Sequence, residues 1–272
     1  MKFKNIQAED IYIGKNTIIE PSVKIRGIKG NAKKIYIGDN CYIGENVQII
    51  CDEFSIGDYS KIQHDTNIHG YLPCKIGHNA WIGQFTIIDS IGGMTIGNNC
   101  GIGAHSQLWS HIKFGDTLEG SRFLMEKPMN IGNDVWFVGH CIVSPILAKD
   151  KSMAMVGSVV TKDMLYNEIY AGSPAKSISD KIGLQFKEVS IAEKLKKMNL
   201  YLNQWNEKAI SIKIVSDNSE IDINRPDISY FNVSERTYTK IGSDEEISFM
   251  KYLLPEKAKF TPINILKSSP TC

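Results

Sequence analysis

The 272 residues include only six cysteines, at Cys41, Cys51, Cys74, Cys100, Cys141 and Cys272, with no C-x-x-C pair among them. That scatter argues against a disulfide framework and against zinc, so no metal is expected and a reducing cytoplasm is the expected compartment. Long hydrophobic runs are also missing. No stretch reaches the roughly 18 apolar residues of a membrane-crossing helix, and the opening MKFKNIQAED lacks the apolar run of a signal peptide. Neither charge sign dominates: 31 Lys and Arg face 30 Asp and Glu, a formal net charge of +1. Nucleic acid and anionic membranes are therefore not expected partners. What remains, 42% hydrophobic and 22% charged residues, is the composition of a globular chain that buries a real core.

An internal repeat fills the first two-thirds. Ile-Gly recurs at Ile13-Gly14, Ile37-Gly38, Ile43-Gly44, Ile56-Gly57, Ile76-Gly77, Ile82-Gly83, Ile96-Gly97, Ile102-Gly103 and Ile131-Gly132. Steps of six from these pairs reach Ile19, Ile25, Ile49, Ile62, Ile68, Ile88, Leu108, Phe137 and Val143. Three steps make one coil with three flat sides, and coil starts fall at 13, 37, 56, 76, 96, 131 and 148. Four residues after each aliphatic stands a small or β-branched residue, among them Cys41, Ser60, Thr66, Ala80, Thr86, Cys100, Ser106 and Cys141. Such a register suits a narrow interior where side chains stack coil on coil, and there free Cys serves as a small hydrophobe. The glycines, and the Asn two positions on (Asn16, Asn40, Asn46, Asn79, Asn99), suit corners that need unusual backbone angles. Period six defeats a 3.6-residue stripe, so helix is excluded here. The expectation is a parallel β-helix of about seven coils, mainly β, spanning residues 1–180.

Chemistry is expected where the repeat fails, because insertions in a solenoid tend to gather on the functional face. Between Leu108 and Ile131 the segment WSHIKFGDTLEGSRFLMEKPMN has no repeat phase and carries His111. A shorter break near Arg26 to Lys34 is basic, with Lys29, Lys33 and Lys34. His64, His69, His78, His105 and His140 fall on corners or outward positions and share no spacing that would build a metal site. Beyond residue 180 the composition changes. Ile191, Leu195, Met198, Leu202 and Trp205 lie at helical spacing, ISIKIV and ISYFNV read as strands, and DEEISFMKYLL reads as a short helix. Residues 181–272 are expected to form a small α+β appendage, acting as a cap that stabilises an assembly or shapes the acceptor site.

WSHI, then EKPMNIGNDVWFVGHCIV, then VGSVVTKDMLYNEIYAGSPAKSI resemble the hexapeptide-repeat acyltransferases of the galactoside, maltose and capsular-polysaccharide type. The motif resemblance covers residues 76–180. It implies a left-handed β-helix, a homotrimer with active sites between neighbouring chains, and acetyl-CoA as acyl donor. By the same resemblance His111 and Trp136 stand at catalytic positions. Gly139, Val156, Thr161, Lys162 and Lys176 stand where relatives hold coenzyme A, and Gln84 and Asp89 where relatives hold the acceptor. Val156 replaces a small alanine of the relatives, and Phe137-Val138 replaces their Ile-Gly. An imidazole at His111 suits the removal of a proton from a sugar hydroxyl as it attacks a thioester.

The resulting expectation is an acetyl-CoA-dependent O-acetyltransferase acting on a sugar hydroxyl in surface polysaccharide or glycoconjugate biosynthesis. Two alternatives stay open. One is an N-acyltransferase of a nucleotide-linked amino sugar, whose diphosphate the basic break could meet. The other is a non-catalytic β-helix scaffold.

Overall fold

In the computed structural model, which describes residues 5–206, 209–254 and 256–263, the chain divides into two compact units, 1–186 and 187–272. The first is the β-helix. Its three sheets run side by side through the coils, and each coil contributes one short strand to each sheet. The first sheet has seven strands, from Ala8–Ile13 to Leu147–Ala148. The second has nine, from Ile18–Ile19 to Ala175–Ser177, and the third has seven, from Lys24–Arg26 to Val159–Val160. Neighbouring strands in these sheets pair in parallel, except that Ala175–Ser177 folds back antiparallel on Ile169–Gly172 and ends the second sheet. The architecture is a parallel β-helix.

The repeat register sets the core. Ile37, Ile56, Ile76, Ile96 and Ile131 stack along the first sheet, and Ile43, Ile62, Ile82, Ile102 and Phe137 along the second. Ile25, Ile49, Ile68, Ile88, Leu108, Val143 and Val160 stack along the third, and all three columns are buried. The small residues four positions on also point inward. Where they are polar, several reach a backbone carbonyl on the next coil: Ser60 Oγ donates to Gly77 O at 2.9 Å, and Thr66 Oγ1 to Gly83 O at 3.0 Å. The interior thus pairs several of its hydroxyls and thiols with backbone carbonyls, whereas Ser152 Oγ and Ser158 Oγ are buried without a hydrogen-bond partner among the described residues.

The corners divide two tasks that the sequence pattern had combined. Asn16, Asn40, Asn46, Asn79 and Asn99 take the left-handed conformation, with φ between 55° and 63°. The repeat glycines before them do not. A Cβ on Gly83 would lie 2.4 Å from the backbone nitrogen of Ala104, and one on Gly57 would lie 2.7 Å from that of His78. Glycine is thus required by close approach of the next coil, while asparagine supplies the turn.

The break after Leu108 is a β-hairpin, His111–Lys113 paired antiparallel with Leu124–Glu126. In the second unit, helix Ile191–Asn206 and helix Asp244–Leu253 accompany a four-stranded sheet. That sheet contains the two expected strands, Ile212–Val215 and Ser229–Asn232, together with Thr237–Thr239 and Thr261–Ile263. Its core gathers Phe231, Tyr238, Phe249 and Phe260 around stacked and edge-on ring contacts. Helix Asp244–Leu253 is capped by Ser243, whose Oγ accepts from Glu246 N at 3.1 Å, while the Glu246 carboxylate accepts from the N–H groups of Ile241 and Gly242.

Candidate active site

His111 sits at the root of the hairpin, on the corner that follows the third sheet. The hairpin leaves the coil at Ser110 and returns at Lys127, whose N–H donates to Ser110 O at 3.2 Å. Gly92 lies beneath this junction. Its N–H donates to Ser110 Oγ at 2.9 Å, and a Cβ there would stand 2.6 Å from the carbonyls of both Ser110 and Lys127. The root is therefore fastened to the coil below, which fixes the first residue of the hairpin relative to the end of strand Ile87–Asp89.

Asp89 ends that strand, and its side chain is sealed from solvent. Its Oδ2 accepts from the Ser110 N–H at 2.9 Å, from the Ser110 hydroxyl at 2.6 Å and from His111 Nδ1 at 2.8 Å. A carboxylate can only accept, so this geometry places the hydrogen of neutral His111 on Nδ1 and leaves Nε2 as the basic nitrogen. The His111 side chain is 21% exposed, enough to meet a ligand while its orientation stays fixed. The indole of Trp109 packs edge-on to the imidazole, with ring centroids 6.2 Å apart.

Asp89, expected at the acceptor, is a fully buried carboxylate behind His111 and holds its imidazole. Gln84 lies elsewhere, half-buried on the corner between the second and third sheets, where its carbonyl accepts from His105 N at 2.9 Å. The two residues expected to share an acceptor site therefore occupy different corners.

Trp136 is 44% exposed on the outer face of the second sheet, in register with Gly101. A Cβ on Gly101 would lie 2.9 Å from Trp136 Cδ1, so that glycine makes room for the indole. Within one chain, Trp136 and His111 thus stand on different faces of the prism. Thr161 and Lys162 are exposed on the same corner as His111, because Leu108, Val143 and Val160 stack in one column. The two coil steps between them span about 10 Å. Gly139, with φ 147°, and Val156, 61% exposed, lie on the opposite edge of the third sheet, where Gly157 N donates to Gly139 O at 2.9 Å. Lys176 is exposed on the closing strand Ala175–Ser177. Ser110 and Trp109 were not singled out from sequence, although both stand in the WSHI segment that carried the histidine.

Among the described residues, no group of three His, Cys, Asp or Glu is placed to hold a metal ion. No helix among them is long and apolar enough to cross a membrane.

No family model matches the sequence. The bifunctional protein GlmU of Listeria innocua is 28% identical over 185 residues, which is 57% of this chain and 36% of that protein. GlmU of Clostridioides difficile is likewise 28% identical over 186 residues. The chain thus spans little more than a third of the length of these relatives. Among solved structures, AntD, an N-acyltransferase from Bacillus cereus in complex with dTDP and coenzyme A, superposes with a TM-score of 0.49. It is 17% identical, over 64% of this chain and 92% of AntD. The polySia-specific acetyltransferase NeuO gives 0.45 at 20% identity, over 75% of this chain and 91% of NeuO. The period-six register, the three parallel sheets and the sequence similarity to GlmU agree on a hexapeptide-repeat β-helix as the fold of this chain.

Proposed function

We propose that the chain is an acyltransferase that moves an acetyl group from acetyl-CoA to a sugar hydroxyl, in the making of a surface polysaccharide or glycoconjugate. The observation that carries this reading is the buried Asp89 carboxylate holding His111 Nδ1 at 2.8 Å. A buried carboxylate on one imidazole nitrogen fixes the tautomer and readies the other nitrogen as a general base. In the proposed reaction, His111 Nε2 takes the proton of the acceptor hydroxyl as its oxygen attacks the thioester carbonyl. The tetrahedral adduct then collapses, the carbon–sulfur bond breaks, and the departing thiolate receives the proton from His111. Free coenzyme A and the acetyl ester are the products.

Acyl-donor binding is assigned to Gly139, Val156, Thr161, Lys162 and Lys176. The exposed ammonium groups of Lys162 and Lys176 suit phosphate, and the position of Thr161 and Lys162 on the His111 corner supports a donor lying along the helix axis. We further propose a cytoplasmic homotrimer in which Trp136 of one chain completes the site at His111 of the next. Their placement on different faces of one chain is what such sharing requires. The hairpin that carries His111 also exposes Phe114, Leu118 and Phe123, an apolar tip suited to a neighbouring copy.

The test is thiol release from acetyl-CoA in the presence of a panel of sugars, oligosaccharides and amino-sugar nucleotides. Turnover with a hydroxyl acceptor, reduced about 100-fold or more in His111→Ala, is expected. Full activity in His111→Ala would overturn the base assignment. Turnover confined to amine acceptors would overturn O-acylation.

A further inference from the structure

The outer face of the second sheet carries a second exposed indole. We propose that Trp81 is an acceptor-specificity residue, which together with Trp136 forms a stacking platform for a neutral oligosaccharide of two or more sugar units. This rests on the reading of Trp136 as part of the transfer site.

Trp81, Gly101 and Trp136 are in register on three successive coils. Both indoles stand out from the sheet, Trp81 41% and Trp136 44% exposed. Gly101 is not a corner glycine. It takes the outward position of its strand, where other coils carry Tyr42, Lys61 and Met153. A glycine inside a strand weakens it and marks a place where another group comes close. Here that group is Trp136, whose Cδ1 lies 2.9 Å from where a Cβ would stand. The Trp136 indole therefore leans over Gly101, toward Trp81. The two tryptophans spring from positions two coils apart, about 10 Å, with only the glycine between them. That is a span for linked rings rather than for one.

Other exposed rings nearby are already occupied. On the next corner Phe85 stacks on His105 with centroids 5.0 Å apart, and His105 stacks on His140 at 4.8 Å. Among the described residues neither Trp81 nor Trp136 stacks on another ring. Their faces are the ones open to a ligand.

An indole face can take the C–H face of a sugar, the base of a nucleotide or an apolar side chain of a second copy. Charge separates these. Residues 76–108 and 129–148, which build the three coils, contain no lysine or arginine. A nucleotide-linked sugar spanning both indoles would lay its diphosphate over Gly101, where these coils offer no cation to meet it. An acidic glycan meets the same lack. A second copy would need apolar surface continuous with the indoles, but the column runs from Trp81 into exposed Lys61. A neutral glycan needs only ring faces and a few hydrogen-bonding groups. Gln84, three residues beyond Trp81 on the same coil and half-buried, carries an amide suited to sugar hydroxyls.

The experiment measures binding by saturation-transfer NMR in the presence of free coenzyme A, with glucose, maltotriose and cellotriose as probes. UDP-glucose and a sialic acid trimer are the charged comparators. Wild type is expected to bind at least one neutral trisaccharide about tenfold more tightly than glucose. In Trp81→Ala this length ratio is expected to fall to about twofold or less, and in Trp81→Phe to stay within about threefold of wild type. A ratio that survives in Trp81→Ala would overturn the proposal. So would an equal loss of glucose and trisaccharide, which is the mark of a packing role, or the lack of any length gain in wild type. Tighter binding of UDP-glucose or the sialic acid trimer, lost in Trp81→Ala, would assign the platform to a charged ligand and overturn it as well. Failure of the transfer-site reading looks different. There, wild type transfers nothing or Trp136→Ala transfers fully, whereas the titration needs no turnover and still decides whether Trp81 holds sugar.

Discussion

Asparagine matches aspartate in shape, so Asp89→Asn separates the charge behind His111 from the packing around it. The amide can turn its oxygen or its nitrogen to the imidazole, and its nitrogen cannot accept from Nδ1. With nitrogen facing the ring, the hydrogen of His111 moves to Nε2 and the base is lost. A fall in kcat of about 10²–10⁴ is expected, with an unchanged far-ultraviolet spectrum showing that the coil survives. Retention of more than a tenth of wild-type kcat would remove Asp89 from the mechanism. The cysteines make a different case at the same scale. Cys41 is buried and its thiol is pushed up to about 12, and Cys51 and Cys74 are raised by the same desolvation. Because the thiolate is the reactive form, native protein at pH 8 is expected to leave these three unalkylated by iodoacetamide over hours, as read by mass spectrometry after quenching. Rapid labelling of any one would show that its coil opens.

A coil is held by what its corners allow. At one corner a side chain from each coil accepts the backbone N–H of the coil before it: Asp39 N to Asp58 Oδ1, Asp58 N to His78 Nδ1, His78 N to Asn98 Oδ1, Asn98 N to Asn133 Oδ1. Each repeat glycine lets these backbones approach. Gly83→Ala would place its Cβ 2.4 Å from Ala104 N, a backbone atom that cannot swing aside. A cost of about 1–3 kcal/mol is expected from this overpacking, measured as a lower urea midpoint with an unchanged m-value. A midpoint equal to wild type would mean that the corner yields more easily than its geometry indicates. Much of this element was legible in the sequence, because one register repeats many times and each recurrence tests the last. Ile37 on Ile56 on Ile76 follows from counting by coil. The reasons for individual residues were less legible: Gly and Asn both read as turn formers, and only the distance to the next coil separates their tasks. The contact of Asp89 with His111 was not legible, because the two lie on different coils and across the start of a break. Even so, Ile88 stacks under Leu108, and that register alone puts the residue after Ile88 beneath the start of the WSHI segment.

At the scale of the molecule, a solenoid's stability comes from neighbouring coils, so an assembly must be made by faces and projections outside that stack. The hairpin is such a projection. Phe114 is fully exposed, Leu118 is 91% exposed and Phe123 78%, and a tip of this kind is costly to leave in water. No comparable signal came from net charge, which is +1 for the whole chain, and this is why the assembly could be anticipated only by resemblance. If the tip seats on a neighbouring copy, the protein sediments as a trimer of 30.5 kDa chains. The double substitution Phe114→Ser, Phe123→Ser is then expected to shift it to monomer. Activity should fall with the trimer, because His111 and Trp136 stand on different faces of one chain and would no longer be completed by a partner. The β-helix itself should persist, since neither phenylalanine belongs to its core. An unchanged midpoint of thermal unfolding for that unit, together with loss of trimer and of transferase activity, is the expected result. A wild type that sediments as a monomer, or a monomeric variant that keeps full activity, would show that one chain holds the whole site and would remove Trp136 from it.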